Sequence, residues 1–455
     1  VTIRQGSNST PTAESENGLR GWQLALLAAG TFTLGVDAFV LAGLLPAIAG
    51  DLSVRVSTAG QLGTIFSITY AIGSPILAAL TGRWDRRVLL GAGLAVFLVG
   101  MVGQALAPSF AVMAVSRAVA ALGAAAFQAN AYVMAGVLAS PQRRGRALAA
   151  VTAGMSLSTV LGVPIGVLAG QTFGWRVMLW TIAVLAALTA ALVPRLPRTH
   201  VPPTSMRTRV GVLTRPSVLT LLLTTVAAVA PVFLAIGYLP VVLGMDDSDG
   251  RLVVVLLGYG LGSVLGNRLV GRLVDGRGAL GVLLVGIAGV AAAYGALVGV
   301  RTWFVPALVV LFAVGAFGGL TITPQQHRLF TAAPDASTVA LGLNGSAIYL
   351  GAALGAALGG LALDVAGAWA IPATAALLAV AAVLLILTTA PERRAPSSAT
   401  RPVPDPSRPA TTPAPQVAGV TVTAASTSTS TFTSAQNLPP DMPGLVRPGD
   451  PHAEG

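Results

Sequence analysis

The chain of 455 residues is 54% hydrophobic and only 9% charged, with a formal net charge of +11; it has no cysteine, and all 27 basic residues are Arg. A soluble domain of ordinary composition carries about 25% charged residues, so this chain could not cover a water-facing surface of its size. Composition therefore excludes a soluble enzyme, a wholly disordered chain, a disulfide scaffold and a Cys-ligated metal site.

In chain order, residues 1–20 are polar and read as a short N-terminal segment. They do not resemble a cleavable signal peptide, because the apolar run behind them is too long. Runs of roughly 20 apolar residues, enough to cross a bilayer, then follow at about 22–46, 58–80, 88–107, 109–139, 147–171 and 177–193. A Pro- and Arg-rich linker, 194–216, separates these from six more at about 217–243, 252–273, 279–300, 303–325, 337–362 and 369–390. Continuous apolar runs without period-2 alternation favour helices over a barrel. The sequence thus predicts an all-α membrane protein of twelve transmembrane helices, with bundles at 21–193 and 217–390. From 391 the chain turns to Pro, Ser, Thr and Ala, with a low-complexity run at Ser426–Ser434; such a tail cannot bury a core and is expected to be disordered.

Orientation follows from the arginines. With the N-terminus inside, 22 of the 27 fall in cytoplasmic segments, four (Arg55, Arg176, Arg251 and Arg301) outside, and Arg117 alone within a span. That asymmetry supports an even number of spans and cytoplasmic termini in a cell membrane. The positive charge is then a topology signal, and nucleic acid is not an expected partner.

An internal repeat runs through the chain. Leu80 in the turn after span 2 (Leu80-Thr-Gly82-Arg83-Trp-Asp85-Arg86-Arg87) matches Leu273 in the turn after span 8 (Gly271-Arg-Leu273-Val-Asp275) at an offset of 193. The same offset carries Ser158, Gly162 and Gly166 of span 5 onto Gly351, Gly355 and Gly359 of span 11. Two separate features agreeing on one number imply two pseudo-symmetric six-helix bundles.

These motifs resemble the major facilitator superfamily, and within it the twelve-span drug:proton antiporter branch. The resemblance covers about residues 20–390. Leu80, Arg83, Arg86 and Arg87 match the loop motif, although Gly82 stands where Asp is expected and Asp85 where Gly is. Gly271, Leu273 and Asp275 match it better in the second half. Span 5 resembles the antiporter motif in Gly154, Gly162, Pro164, Gly166 and Gly170, with Val163 inserted before the proline. Span 4 keeps the motif's arginine, Arg117, but has Ala120 in place of Gln. Gly35-Val-Asp37 through Leu44-Leu45-Pro46 is similar to the first helix of bacterial exporters of chloramphenicol, purines or sugars. The resemblance implies a monomeric secondary transporter working by alternating access, with efflux and antibiotic resistance as its expected setting.

Asp37 is the one acidic residue well inside a span, where an ionisable group is costly unless paired and functional by default. Its expected partner is Arg117. At about 1.5 Å rise per residue, both lie roughly 12–14 Å below the outer edge. Arg stays protonated and cannot carry the transported proton. It favours the ionised carboxylate while desolvation favours the neutral one, and a group so balanced suits proton coupling. A static ion pair between two helices is the alternative.

Thr33 and Gly30 share the face of Asp37, and Gln128 lies three turns from Arg117 on one face of span 4. These are expected to line a cavity or, equally, to bond neighbouring helices. Tyr238 and Asn344 are further candidates for substrate contact. Arg268, near the end of span 8, suits snorkelling to the cytoplasm. The ladder Gly154, Ser158, Gly162, Gly166, Gly170 permits close helix approach, and Pro164 can bend the helix. Together these suit span 5 either for rocking against span 8 or for plain tight packing. The basic turn with Arg83, Asp85 and Arg86, with Asp275 opposite in the repeat, could pair within itself and with helix C-termini as a latch.

No enzyme signature appears. His200, His327 and His452 are isolated, no metal or cofactor is expected, and without Lys there is no ATP-type phosphate loop. The expected partners are protons, a small-molecule substrate and the lipid bilayer. Three functions stay open: export of an antibiotic of the chloramphenicol type by proton antiport, export of a sugar or purine metabolite, and a non-transporting membrane sensor.

Overall fold

The computed structural model describes residues 21–140, 143–200, 205–245 and 249–389. The expected N-terminal segment 1–20 and disordered tail 391–455 lie outside the described residues. Among the described residues, twelve helices are long and apolar enough to span a membrane: α1 (Gly21–Asp51), α2 (Val56–Leu80), α3 (Arg86–Ala105), α4 (Phe110–Leu138), α5 (Arg144–Phe173), α6 (Trp175–Arg195), α7 (Pro216–Ile236), α8 (Arg251–Arg277), α9 (Ala279–Val300), α10 (Phe304–Ala332), α11 (Pro334–Ala366) and α12 (Ala370–Thr389). They correspond one to one with the predicted spans. No strand occurs among the described residues.

The packing repeats as the sequence does. α3 lies on α4, α4 on α2, α5 on α1 and α6 on α3, while in the second half α9 lies on α10, α10 on α8, α11 on α7 and α12 on α9. The two bundles meet along α2 with α11 and α5 with α8. One end of the molecule carries the arginine-rich connections, and the other is arginine-poor.

Three helices depart from the continuous spans that the sequence predicts, each for a local reason. The span expected over 217–243 divides, because α7 stops at Ile236 and a short helix, Leu239–Leu243, follows with Pro240 in its first turn, where the missing N–H is not needed. α10 is interrupted at Gly319–Thr321. There a Cβ on Gly319 would stand 2.8 Å from the Ser263 carbonyl of α8, and the Thr321 hydroxyl donates to the Gly318 carbonyl at 2.7 Å. α5 contains a π-helical turn at Ser158–Gly162, just before Pro164.

That turn bears on the small-residue ladder. Positions four apart drift around a straight α-helix, and a wider turn sets the phase back. All five positions then face α1: added side-chain atoms would collide with Ala28 at Gly154, Val36 at Gly162, Val40 at Gly166 and Leu44 at Gly170, and Ser158 itself fits against Gly35. The ladder therefore packs α5 onto α1. The contact with α8 includes Thr159 and Val160, which lie against Gly260.

Candidate functional site

α1 and α4 touch within the first bundle and bring Asp37 and Arg117 together. Arg117 donates from one Nη to Asp37 Oδ1 at 2.5 Å and from the other to the Asp37 backbone carbonyl at 3.2 Å. Asp37 is 0% and Arg117 2% exposed. On the α3 side Gln104, also fully buried, accepts from Arg117 at 3.5 Å. On the α2 side the guanidinium lies over the Phe66 ring, 4.4 Å from its centre. Asp37 Oδ2 and Arg117 Nε have no hydrogen-bond partner among the described residues. The pair is thus held at three points, with one carboxylate oxygen left to accept.

A second-half residue reaches this neighbourhood. Tyr349 of α11 stacks on Tyr70 of α2, with ring centres 3.7 Å apart and planes at 25°, and leans on Phe66 at 6.3 Å. Tyr132 of α4 meets Thr152 of α5 hydroxyl to hydroxyl at 3.3 Å.

The other expected contact residues are placed elsewhere. Thr33 is buried and donates to the Ala29 carbonyl of its own helix. Gly30 lies under the Phe127 ring. Gln128 is half-buried, its amide oxygen without a partner among the described residues. Asn344 is fully buried within the second bundle, where it accepts from the Thr225 hydroxyl at 2.7 Å. Tyr238 is fully buried near the arginine-poor end; it donates to the Ala356 carbonyl at 2.9 Å and fills the space beside Gly60 of α2 and Gly359 of α11. Arg268 is exposed.

Among the residues expected to gate, Asp85 caps α3 by accepting from Arg87 N at 2.8 Å and also takes Thr199 N at 3.2 Å. Arg86 binds the Gly82 carbonyl and the Asn130 side chain of α4. Arg87 binds the carbonyls of Pro194 and Leu196 at the end of α6. These bonds tie the turn to the first bundle's own helix ends. Arg83 and Asp275 are exposed. A linker helix, Met206–Leu213, lies against α2, α7 and α11 at this end, and partial burial pushes its Arg209 guanidinium below the ordinary value.

The two ends differ. At the arginine-poor end the seam is closed by Tyr238, by Gln61 and Ser57 beside Gly360, and by the Arg55–Asp364 ion pair at 3.7 Å. Toward the arginine-rich end α5 parts from α8, their contacts being concentrated in Ser158–Phe173. Sequence reasoning found the charge pair but missed Gln104, Phe66, Tyr70 and Tyr349. The only local signals were a polar residue in the last turn of span 3 and two aromatics four apart in span 2.

The Major Facilitator Superfamily profile matches residues 27–336 and 219–440. The chain is 35% identical over 343 residues to a chloramphenicol resistance protein of Streptomyces lividans, covering 73% of this chain and 86% of that one. It is 29% identical over 384 residues to the inner membrane transport protein YdhP of Escherichia coli O157:H7, covering 81% and 96%. Its fold is similar to that of the xylose transporter XylE of E. coli in a partially occluded inward open conformation, with a TM-score of 0.62 at 16% identity and coverage of 81% and 97%. The chain, a multi-pass membrane transporter rather than an enzyme, belongs to the Major Facilitator Superfamily.

Proposed function

We propose that this transporter exports a small neutral or fairly hydrophobic compound, of the chloramphenicol type, across a bacterial cell membrane in exchange for protons. The observation that carries the coupling is the sealed Asp37–Arg117 pair with its unpartnered carboxylate oxygen. The arginine favours the ionised form of Asp37 while burial favours the neutral one, and the arginine's own charge is constant. Protonation of Asp37 weakens the pair, so occupancy by a proton and the packing of α1 against α4 are linked. The substrate class is supported by the Streptomyces lividans relative and by the apolar, aromatic surroundings of the pair. With the arginine-rich end and both termini in the cytoplasm, the conformation is closed outward and parted inward, ready to load from the cell. The bundle boundaries 21–193 and 217–390 complete this reading, with the protein acting as a monomer.

The deciding experiment reconstitutes wild type and Asp37→Asn in proteoliposomes under an imposed pH gradient. Wild type is expected to drive chloramphenicol uphill, and Asp37→Asn to allow only downhill exchange. Equal uphill transport by both would sink proton coupling at Asp37, and wild-type indifference to chloramphenicol would sink the substrate class alone.

A further inference from the structure

On the α2 side of the charge pair lies a cluster of aromatic rings that reaches across the seam between the bundles. The Arg117 guanidinium lies over the Phe66 ring. Tyr70, one helical turn further along α2, sits 6.4 Å from Phe66, and Tyr349 packs against both from the opposite bundle. Phe66 and Tyr70 are 3% and 6% exposed, and Asp37 itself has no solvent-accessible surface in this conformation. Of these rings, only that of Tyr349 belongs to the second bundle. It rides on α11, the helix that α2 must leave for the arginine-poor end to open.

We propose that Phe66, Tyr70 and Tyr349 form a lid over the Asp37–Arg117 pair, and that separating Tyr349 from Tyr70 is the step that admits a proton to Asp37. This rests on the reading of Asp37 as the coupling group. A ring on a guanidinium face excludes water while satisfying the cation, which makes Phe66 a seal and not mere filler. With Tyr349 withdrawn, Phe66 loses the neighbour that holds it down. Water then reaches Asp37 Oδ2, and a hydronium ion transfers a proton there; an O–H bond forms and a water molecule leaves. Arg117 keeps all its protons. The charged and titratable groups facing Asp37 are Arg117 from α4 and Tyr349 from α11. Tyr70 of α2 and Tyr132 of α4 follow behind Tyr349. α5 and α6 carry their ionisable residues near their ends. Tyr349 is thus a positioning residue, acting on Asp37 through Phe66.

The test measures proton entry into proteoliposomes loaded with pyranine, under an inward pH gradient and with no substrate. Tyr349→Leu and Phe66→Leu are each expected to admit protons at least fivefold faster than wild type. Adding Asp37→Asn to either should return the rate to the wild-type level. Tyr349→Phe, which keeps the ring, should match wild type. The proposal is overturned if both leucine variants, eluting as monodisperse protein, match wild type. It is equally overturned if their leak persists in the Asp37→Asn background, which would mark a general packing defect. Because no substrate is present, this outcome is separable from the exchange assay: a lid without drug transport, or drug transport without a lid, would each be visible.

Discussion

Arg117 is protonated whatever its surroundings, so removing its partner leaves a buried cation, and removing Arg117 leaves a buried carboxylate. Breaking a buried pair from one side costs about 3–5 kcal/mol, whereas replacing both partners by neutral residues is often close to neutral. Arg117→Gln should therefore lower the melting temperature in detergent sharply, and Asp37→Asn with Arg117→Gln should recover most of the loss while remaining uncoupled. A double variant as unstable as the single one would mean that the bonds to the Asp37 carbonyl and Gln104, not the charge, hold the site together. Arg117→Lys asks a sharper question. An ammonium keeps the charge but not the two-pronged geometry or the flat face over Phe66, so its stability should fall between those of wild type and Arg117→Gln. The pair itself is legible in the sequence, because depth in a helix can be counted from its ends and only two deep charges remain to be matched. Its surroundings are not: Gln104 and Phe66 meet Arg117, and Tyr349 meets Phe66, only after helix crossings whose angles no spacing along one chain encodes.

At the scale of helices, the existence of each span is legible because a bilayer demands about 20 apolar residues and penalises anything else. The interruptions are less so. The π-turn at Ser158–Gly162 and the break at Gly319–Thr321 arise where backbones press together, and the pressing neighbour is distant in sequence. The ladders show how close that approach is. A Cβ on Gly355 would overlap the Ala230 carbonyl of α7 and stand 2.9 Å from Leu234 N; backbone atoms cannot step aside as a side chain can. Gly355→Leu should thus cost well over the roughly 1–3 kcal/mol typical of overpacking and show in detergent as aggregation or a greatly lowered melting temperature. Gly295 of α9 has nothing within 4 Å of such an atom, so Gly295→Ala should gain about 0.5–1 kcal/mol from helix propensity. If the two substitutions behave alike, close packing of α11 on α7 is not what the glycines serve.

For the whole molecule, the duplicated packing makes alternating access a question of which seam parts. α2 with α11 and α8 with α5 are the same interface related by the repeat, yet here one end is closed by Tyr238, Gln61 and the Arg55–Asp364 pair while the other parts between α5 and α8. The ion pair is exposed and worth little by itself; the interlocked rings and glycines carry the closure. A Cβ on Gly63 of α2 would lie 3.5 Å from that of Ala356 on α11, within the span a disulfide requires. The chain has no cysteine of its own, so Gly63→Cys with Ala356→Cys introduces the only thiols, and any cross-link formed within one molecule must join these helices. Oxidation with copper phenanthroline should produce that cross-link readily if the closed end is well populated, and it should stop transport. Reduction should restore it, and either cysteine alone should leave transport insensitive to oxidant. The lid adds a second readout on the same protein, because a seam locked shut should also hold substrate-free proton entry at its lowest level in the Tyr349→Leu background. Full transport in the cross-linked protein would show that α2 and α11 need not separate. Both the alternating seam and the route of the proton past Tyr349 would then have to be abandoned together.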